Sequence, residues 1–363
     1  MKKILCMIIA LATLISLIAC SDKNKYPPVE STDEEKKVMM TLKVGDSSYE
    51  VKYELYRALF LNFSEEYDGG DKSFWATAAS ETAKAEINER ILSYAKDIFA
   101  TIEHAKAIGF DAYSKEADEL VNEYITTSVD GGGSAVGFEG NYDAYLASLK
   151  EMNLNYSVQT LLYRYSIAYE KIITYYAGNI DPDNPTPGAT EGNLSYTRDQ
   201  VKEFYLGESC VRASVIEINA EYIPYDRACE IRDEIAKYTS ATAALNYAIG
   251  HTSGNPDDIL NGVLIGTESL DKAYYSDVID AAFALGMNET SKVIKISADN
   301  EVKYWILYTL EKDEAYFEEF YEGIADVYVS QKIGEKLAEV KSGITKIEYT
   351  DAFSSLDLSG VSM

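Results

Sequence analysis

Between Asn179 and Asn193 the chain carries Pro182, Pro185, Pro187 and Gly188 with almost no apolar residues. Proline removes a backbone donor and pushes its predecessor out of the helical region, so neither a long helix nor a central strand crosses this stretch. The segment 179–196 therefore reads as a linker, and the 363 residues divide around it into stretches of different period.

Before the linker the apolar period is helical. Ile87, Ile91, Ile98 and Ile102 recur at helix spacing. The pattern predicts a strand over Val38–Val44, a turn at Gly45–Ser48 and a return strand at Tyr49–Val51. Helices follow over Tyr53–Glu66, Ser73–Ile108, Ser114–Ser128, Tyr142–Met152 and Ser157–Tyr176. Asp68–Asp71 breaks the first, and Gly109 suits a left-handed helix end. After the linker, Thr197 with Gln200 forms a capping box for a short helix through Tyr205. Val211–Ile218 alternates at the period of a half-buried strand. Helices over Asp226–Tyr238, Ala241–Gly250 and Tyr275–Ala284 precede strands at Lys292–Ser297 and Glu301–Thr309. Glu314–Val340 closes the pattern as a long helix with Phe317, Phe320, Ile324, Val327 and Leu337 on its apolar side. The fold class is α+β: a mainly helical part over 38–178 and a β-α-α-α-β-β block over 197–312 with its leading helix. A long helix at 313–341 and a C-terminal tail at 342–363 complete the chain.

Charge excludes whole classes of partner. Lys and Arg number 33 against 60 Asp and Glu, a net charge of −27. Nucleic acid bound through its phosphates needs a basic face, so no nucleic-acid partner is expected. Two histidines, His104 and His251, are too few for a multi-histidine metal site, and neither metal nor cofactor is expected. Asp181-Pro182-Asp183-Asn184 lacks the later Gly and Glu of a calcium loop and reads as a turn. The acid-rich stretch Glu311–Glu322 is interleaved with aromatics and reads as a solvated helix face. The 30 tyrosines outnumber Phe and Trp together and supply amphipathic contact area.

The N-terminus sets the expected compartment. Lys2 and Lys3 precede an uncharged apolar run, Ile4–Ala19, too short to span a bilayer, so residues 1–19 read as a signal peptide. Leu17-Ile18-Ala19-Cys20 looks like a bacterial lipobox, which would lipidate Cys20 and anchor the protein to a membrane outside the cytoplasm. Residues 20–37, with Pro27-Pro28, read as a tether. Cys210 and Cys229 remain, too few for a disulfide scaffold; as a pair or as two small buried side chains, both readings stay open.

Several segments in order resemble extracytoplasmic foldases of the PrsA and SurA type. Thr41–Gly45 with Tyr49–Asn62 looks like the opening hairpin and helix of their chaperone lobe. His104–Phe110 followed by Lys115–Asp118 resembles that lobe's A-K-x-x-G-I-x-x-S-x-x-E corner. Tyr142–Leu146 and Leu154–Tyr169 match its next two helices. Val211–Ile218 resembles the first parvulin strand, V-R-A-S-H-I-L-x, and Asn261–Gly266 falls where that family has G-G-D-L-G. Ala281–Ser291 resembles A-A-F-A-L-x-x-G-E-x-S, and Tyr304–Leu307 aligns with a closing G-Y-H-I-I strand.

The resemblance implies a helical chaperone lobe completed by the C-terminal long helix, with a parvulin-like domain inserted in it. Parvulins rotate prolyl peptide bonds, whose barrier is ~18–20 kcal/mol. By that resemblance the site positions are Val215, Ser253, Phe283 and Trp305. Val215 and Trp305 stand where the family has its two histidines, and neither can carry the same hydrogen-bonded network. Phe283 serves equally as a wall of the proline pocket or as plain core, and His251 as a loop residue. The leading expectation is a lipid-anchored chaperone for unfolded secreted polypeptides with weak or absent isomerase activity. An active isomerase with a rebuilt site and a surface lipoprotein with one specific ligand are the alternatives.

Overall fold

The computed structural model describes residues 25–131, 137–177, 193–268, 272–298 and 301–362. The signal peptide at 1–19, the lipid acceptor Cys20, the Asp181–Asn184 turn and most of the 179–196 linker lie outside these residues. The fold is α+β and forms two compact units. The first comprises 1–173 and 337–363, and the second, 174–336, is inserted in its sequence.

In the first unit, β1 (Val38–Val44) and β2 (Ser47–Lys52) form an antiparallel hairpin. Gly45 turns it at φ 56°, a conformation glycine adopts freely. Helix α1 (Tyr53–Asp68) follows directly and ends at Gly69 in the left-handed conformation. After two 3-10 turns, α2 (Glu81–Ala107) buries Ile87, Ile91, Ile98 and Ile102, the stripe read from the sequence. The 3-10 turns replace the first part of the predicted Ser73–Ile108 helix. Asp71 caps the first of them, and Trp75 within it is buried with its indole N–H donating to Asp68 at 2.6 Å. Helices α3 (Lys115–Asp130), α4 (Tyr142–Glu151) and α5 (Tyr156–Ala177) complete the helical part, capped by Ser114 before α3 and Asn141 before α4.

Two segments read as a tether and a tail are integral to this unit. Among residues 25–37, Tyr26 is buried, stacks on Tyr142 at 5.1 Å and donates its hydroxyl to Asp130. Glu54, only 4% exposed, accepts from Ser31, Asn155 and Ser157. Glu35 accepts from Arg57 at 2.8 Å and from Asn155 at 3.1 Å. Polar composition predicts a free tether, but its polar groups are tied down: Ser31 to Glu54 and Glu35 to Arg57 on α1, and Tyr26 to Asp130 on α3. At the other end, β7 (Ile347–Tyr349) pairs antiparallel with β1 and Thr41 faces Glu348, giving sheet order β2-β1-β7. Ile344, Leu358 and Val361 are buried in the same C-terminal segment. Their apolar residues are too sparse for periodicity to flag.

Two carboxylates of this unit titrate far from their usual range, in opposite senses. Burial alone would raise Glu35, but hydrogen bonds from Thr32, Arg57 and Asn155 outweigh it and lower the carboxyl to about 2. This group stabilises the fold above pH ~4.5, and the contribution is lost as pH falls toward 2. Burial raises Glu170 on α5 to about 7, despite the hydroxyl of Tyr124 donating to it at 2.6 Å. Its ionised form is disfavoured in the fold, so stability is lost as pH rises from ~4.5 through 7. Glu170→Gln is therefore expected to stabilise by about 1–2 kcal/mol at pH 8, after allowance for solvent screening, and by almost nothing at pH 4.5. Urea unfolding at both pH values checks this; equal effects at the two would contradict it.

In the second unit, α6 (Arg198–Leu206) opens with the Thr197–Gln200 capping box, both hydrogen bonds present. Strand β3 (Cys210–Asn219) is followed by α7 (Tyr225–Ile235), α8 (Ala241–Ile249), α9 (Pro256–Asn261) and β4 (Val263–Gly266). Then come α10 (Lys272–Ala284), β5 (Ile294–Ala298) and β6 (Glu301–Thr309). The antiparallel sheet has order β4-β3-β6-β5. The block thus contains α9 and β4 beyond the elements read from sequence. They span only six and four residues, too short for a period to register. Alternation divides β3 between two cores. Ile216 and Ile218 pack with α7 and α8, while Ala213 and Val215 pack with α10. Cys210 and Cys229 are free and sit in different cores. Burial pushes the Cys210 thiol up to about 12, so it is no nucleophile near neutrality.

The predicted helix Glu314–Val340 is two helices, α11 (Glu314–Glu319) and α12 (Tyr321–Ser342), broken at Phe320. Ring contacts fix the break: Tyr316 stacks on Phe320 at 4.4 Å, and Phe317 meets Tyr321 edge-on at 5.5 Å. Phe317 and Ile324 pack on Val201, Phe204 and Tyr205 of α6 within the second unit. From Leu337 onward the chain belongs to the first unit, where Lys341 pairs with Asp97 at 2.6 Å.

Candidate functional site

Of the four positions named from the sequence, Val215, Phe283 and Trp305 lie on one side of the second unit's sheet, and Ser253 lies at its edge. In β3, residues 211, 213, 215 and 217 share a face; in β6, residues 303, 305 and 307 do. Register sets Val215 opposite Leu307 and Glu217 opposite Trp305. Val215, Phe283 and Trp305 are half-buried around one core beneath α10, and Tyr275 stacks on Trp305 at 5.5 Å. The Trp305 indole N–H is buried with no acceptor among the described residues. Ser253 lies in the loop after α8, which closes the edge of β3 where β4 has ended. Its N–H donates to the Glu217 carbonyl at 2.7 Å, and its hydroxyl lies within 3.4 Å of the Glu217 carboxylate.

The polar chemistry near these positions comes from residues the motif did not mark. Lys303 Nζ lies 3.0 Å from Glu217 Oε1, which places an ion pair beside Ser253. The two-residue period from Val215 to Glu217, and from Trp305 back to Lys303, was a usable signal for both. The His251 ring lies tilted against that of Tyr247, with centroids 4.5 Å apart, and Tyr247 packs with the core on the opposite face of the sheet. His104 lies on α2 of the first unit. The face therefore offers an apolar wall of Val215, Phe283, Tyr275 and Trp305, one ion pair and one hydroxyl. It can receive an apolar ring; it lacks a paired imidazole relay.

A second candidate is the open cleft of the first unit, about 1040 Å³ in volume. One wall is β2, whose only strand partner among the described residues is β1. Tyr49, Tyr113, Tyr156 and Leu161 supply apolar area; Glu50, Lys52, Lys106 and Arg164 supply charges of both signs. Tyr49 is held by stacking on Phe99 at 4.8 Å and by its hydroxyl on Glu103 at 2.6 Å. Arg164 is fixed by Asp118 at 2.5 Å and lies over the Tyr113 ring, which is half exposed. A volume at the top of the range for small-ligand pockets, with a strand edge in its wall, suits an extended chain better than a compact molecule. No local pattern marks this cleft, because its walls come from residues 28–36, β2, α1, α2 and α5 together.

Among the described residues, no group of three or more His, Cys, Asp or Glu could hold a metal ion. No described helix is long and apolar enough to cross a membrane.

No family model and no curated protein matches the chain. Among solved structures, the chain is similar to foldase protein PrsA from Streptococcus pneumoniae. The two are 16% identical with a TM-score of 0.28, over 76% of this chain and 91% of that one. It is likewise similar to foldase protein PrsA from Lactococcus lactis, at 12% identity and TM-score 0.24, covering 90% of this chain and all of that one. PrsA from Bacillus subtilis is 16% identical with TM-score 0.24, over 91% of this chain and 100% of that one.

Proposed function

We propose that this chain is an extracytoplasmic chaperone, anchored through lipid on Cys20, that holds unfolded polypeptides. The cleft of the first unit is the holding site. The second unit is a parvulin-like domain that receives prolyl segments with little or no isomerase activity. The cleft carries this reading: it is open and bounded by the edge of β2, and its walls mix tyrosine with both signs of charge. Such a wall meets many sequences weakly, through main-chain pairing and adaptable contacts. Loss of isomerase power follows from Val215 and Trp305, which supply no shared proton beside the peptide bond.

Two measurements on residues 21–363 test the halves separately. The protein is expected to suppress aggregation of reduced, unfolded lysozyme, and Tyr113→Asp with Tyr156→Asp is expected to lose most of that effect. Suppression unchanged in the double variant would remove the cleft from the account. Exchange NMR on a prolyl tetrapeptide is expected to show no faster cis–trans exchange, even at high protein concentration. Clear acceleration would mean that the apolar face catalyses by desolvation and shape without either histidine.

A further inference from the structure

We propose that the groove at the junction of α11 and α12 in the second unit docks a cationic polypeptide segment carrying an apolar side chain. The groove holds about 620 Å³. Its floor is Leu264, Phe320 and Val327, half-buried residues packed on the core that α6 shares with α12. Its aromatic wall is held from behind. Tyr316 stacks on Tyr205 at 5.9 Å and on Phe320 at 4.4 Å, with the Arg212 guanidinium 3.6 Å from its ring centroid. Preorganised aromatic walls of this kind lose little entropy on binding.

The rim decides the occupant. Glu318, Glu319 and Glu322 line the groove, and Arg198 is its only lining cation among the described residues. Arg198 is already engaged, 2.6 Å from Glu318 and 4.0 Å over the Tyr321 ring. The rim is therefore net negative above an apolar floor, which complements Lys or Arg flanking a Leu or Phe and repels an acidic chain. The acid-rich stretch that reads as a solvated face is one side of this groove. The proposal stands apart from the chaperone reading, since the groove would bind such a segment whatever the cleft of the first unit does.

Gly323 makes the test clean. It lines the groove on α12, and a Cβ added there meets nothing within 4 Å. Gly323→Leu fills the groove while replacing a helical glycine by a better helix former, so its thermal midpoint is expected to hold or rise. The probe is acetyl-KLFKKLFK-amide, titrated calorimetrically into residues 21–363. Expected is saturable binding, weakened about tenfold or more by Glu319→Lys with Glu322→Lys, and by Gly323→Leu. Glu65→Lys with Glu86→Lys, an equal charge change at exposed sites of the first unit, is expected to leave affinity within about twofold. The same peptide with Glu for every Lys is expected not to bind. Equal weakening by the groove pair and the control pair, or affinity unchanged in Gly323→Leu, would overturn the proposal.

Discussion

Ending the chain at Ser342 is expected to unfold the first unit. Truncation strips β7 from β1, removes the buried side chains of Ile344, Leu358 and Val361, and takes Phe353 off the Tyr56 ring. Three buried aliphatic side chains alone contribute roughly 5–9 kcal/mol by area transfer, comparable to the whole stability of a domain. The edge of β1 at Met40–Leu42, uncovered by loss of β7, would add aggregation. The three cores of the second unit contain no residue after Ser342, so its near-UV signal is expected to persist. Circular dichroism and limited proteolysis of the truncated protein read both outcomes. A first unit that keeps its protection would show that residues 343–362 are a dispensable tail after all.

Phe317→Ala is the largest single substitution expected in the second unit. Phe317 is fully buried among Val201, Tyr205 and Ile324, and its ring stacks on Tyr205 at 5.9 Å. Truncating such a ring costs about 3–5 kcal/mol, from lost transfer energy and the cavity left behind. Phe317→Leu fills much of that space and is expected to cost clearly less. By contrast, Glu314→Ala three residues away removes only an exposed pair with Lys202 at 2.8 Å, which solvent screens, and is expected to cost far less than Phe317→Ala. Chemical denaturation of the three variants orders them. A cost below about 1 kcal/mol for Phe317→Ala would mean that α11 does not pack on α6.

Elements with a sustained period were legible in the sequence: the isoleucine stripe of α2, the alternation of β3 and β6, and the capping box at Thr197. Short or context-made elements were not. Strand β4 has four residues and β7 three, and each exists because a longer strand offers it an edge. The docking of residues 25–37 depends on Glu54, Asn155 and Asp130, distant in sequence and invisible to any local pattern. The tyrosines divided by position: Tyr163 and Tyr205 are buried, while Tyr169 and Tyr175 are exposed. Of the candidate site, Val215, Phe283 and Trp305 could be placed from motif spacing. Tyr275 and the Glu217–Lys303 pair needed the register to bring them alongside.

An unfolded chain is expected to lie along β2 in the cleft of the first unit. Hydrogen exchange of residues 21–363, alone and saturated with a permanently unfolded polypeptide such as reduced, carboxymethylated α-lactalbumin, tests it directly. New protection is expected in Ser47–Lys52, where main-chain pairing would occur, with perturbed signals around Tyr113 and Tyr156. Binding that leaves Ser47–Lys52 exchanging as before, or no binding at all, would contradict it.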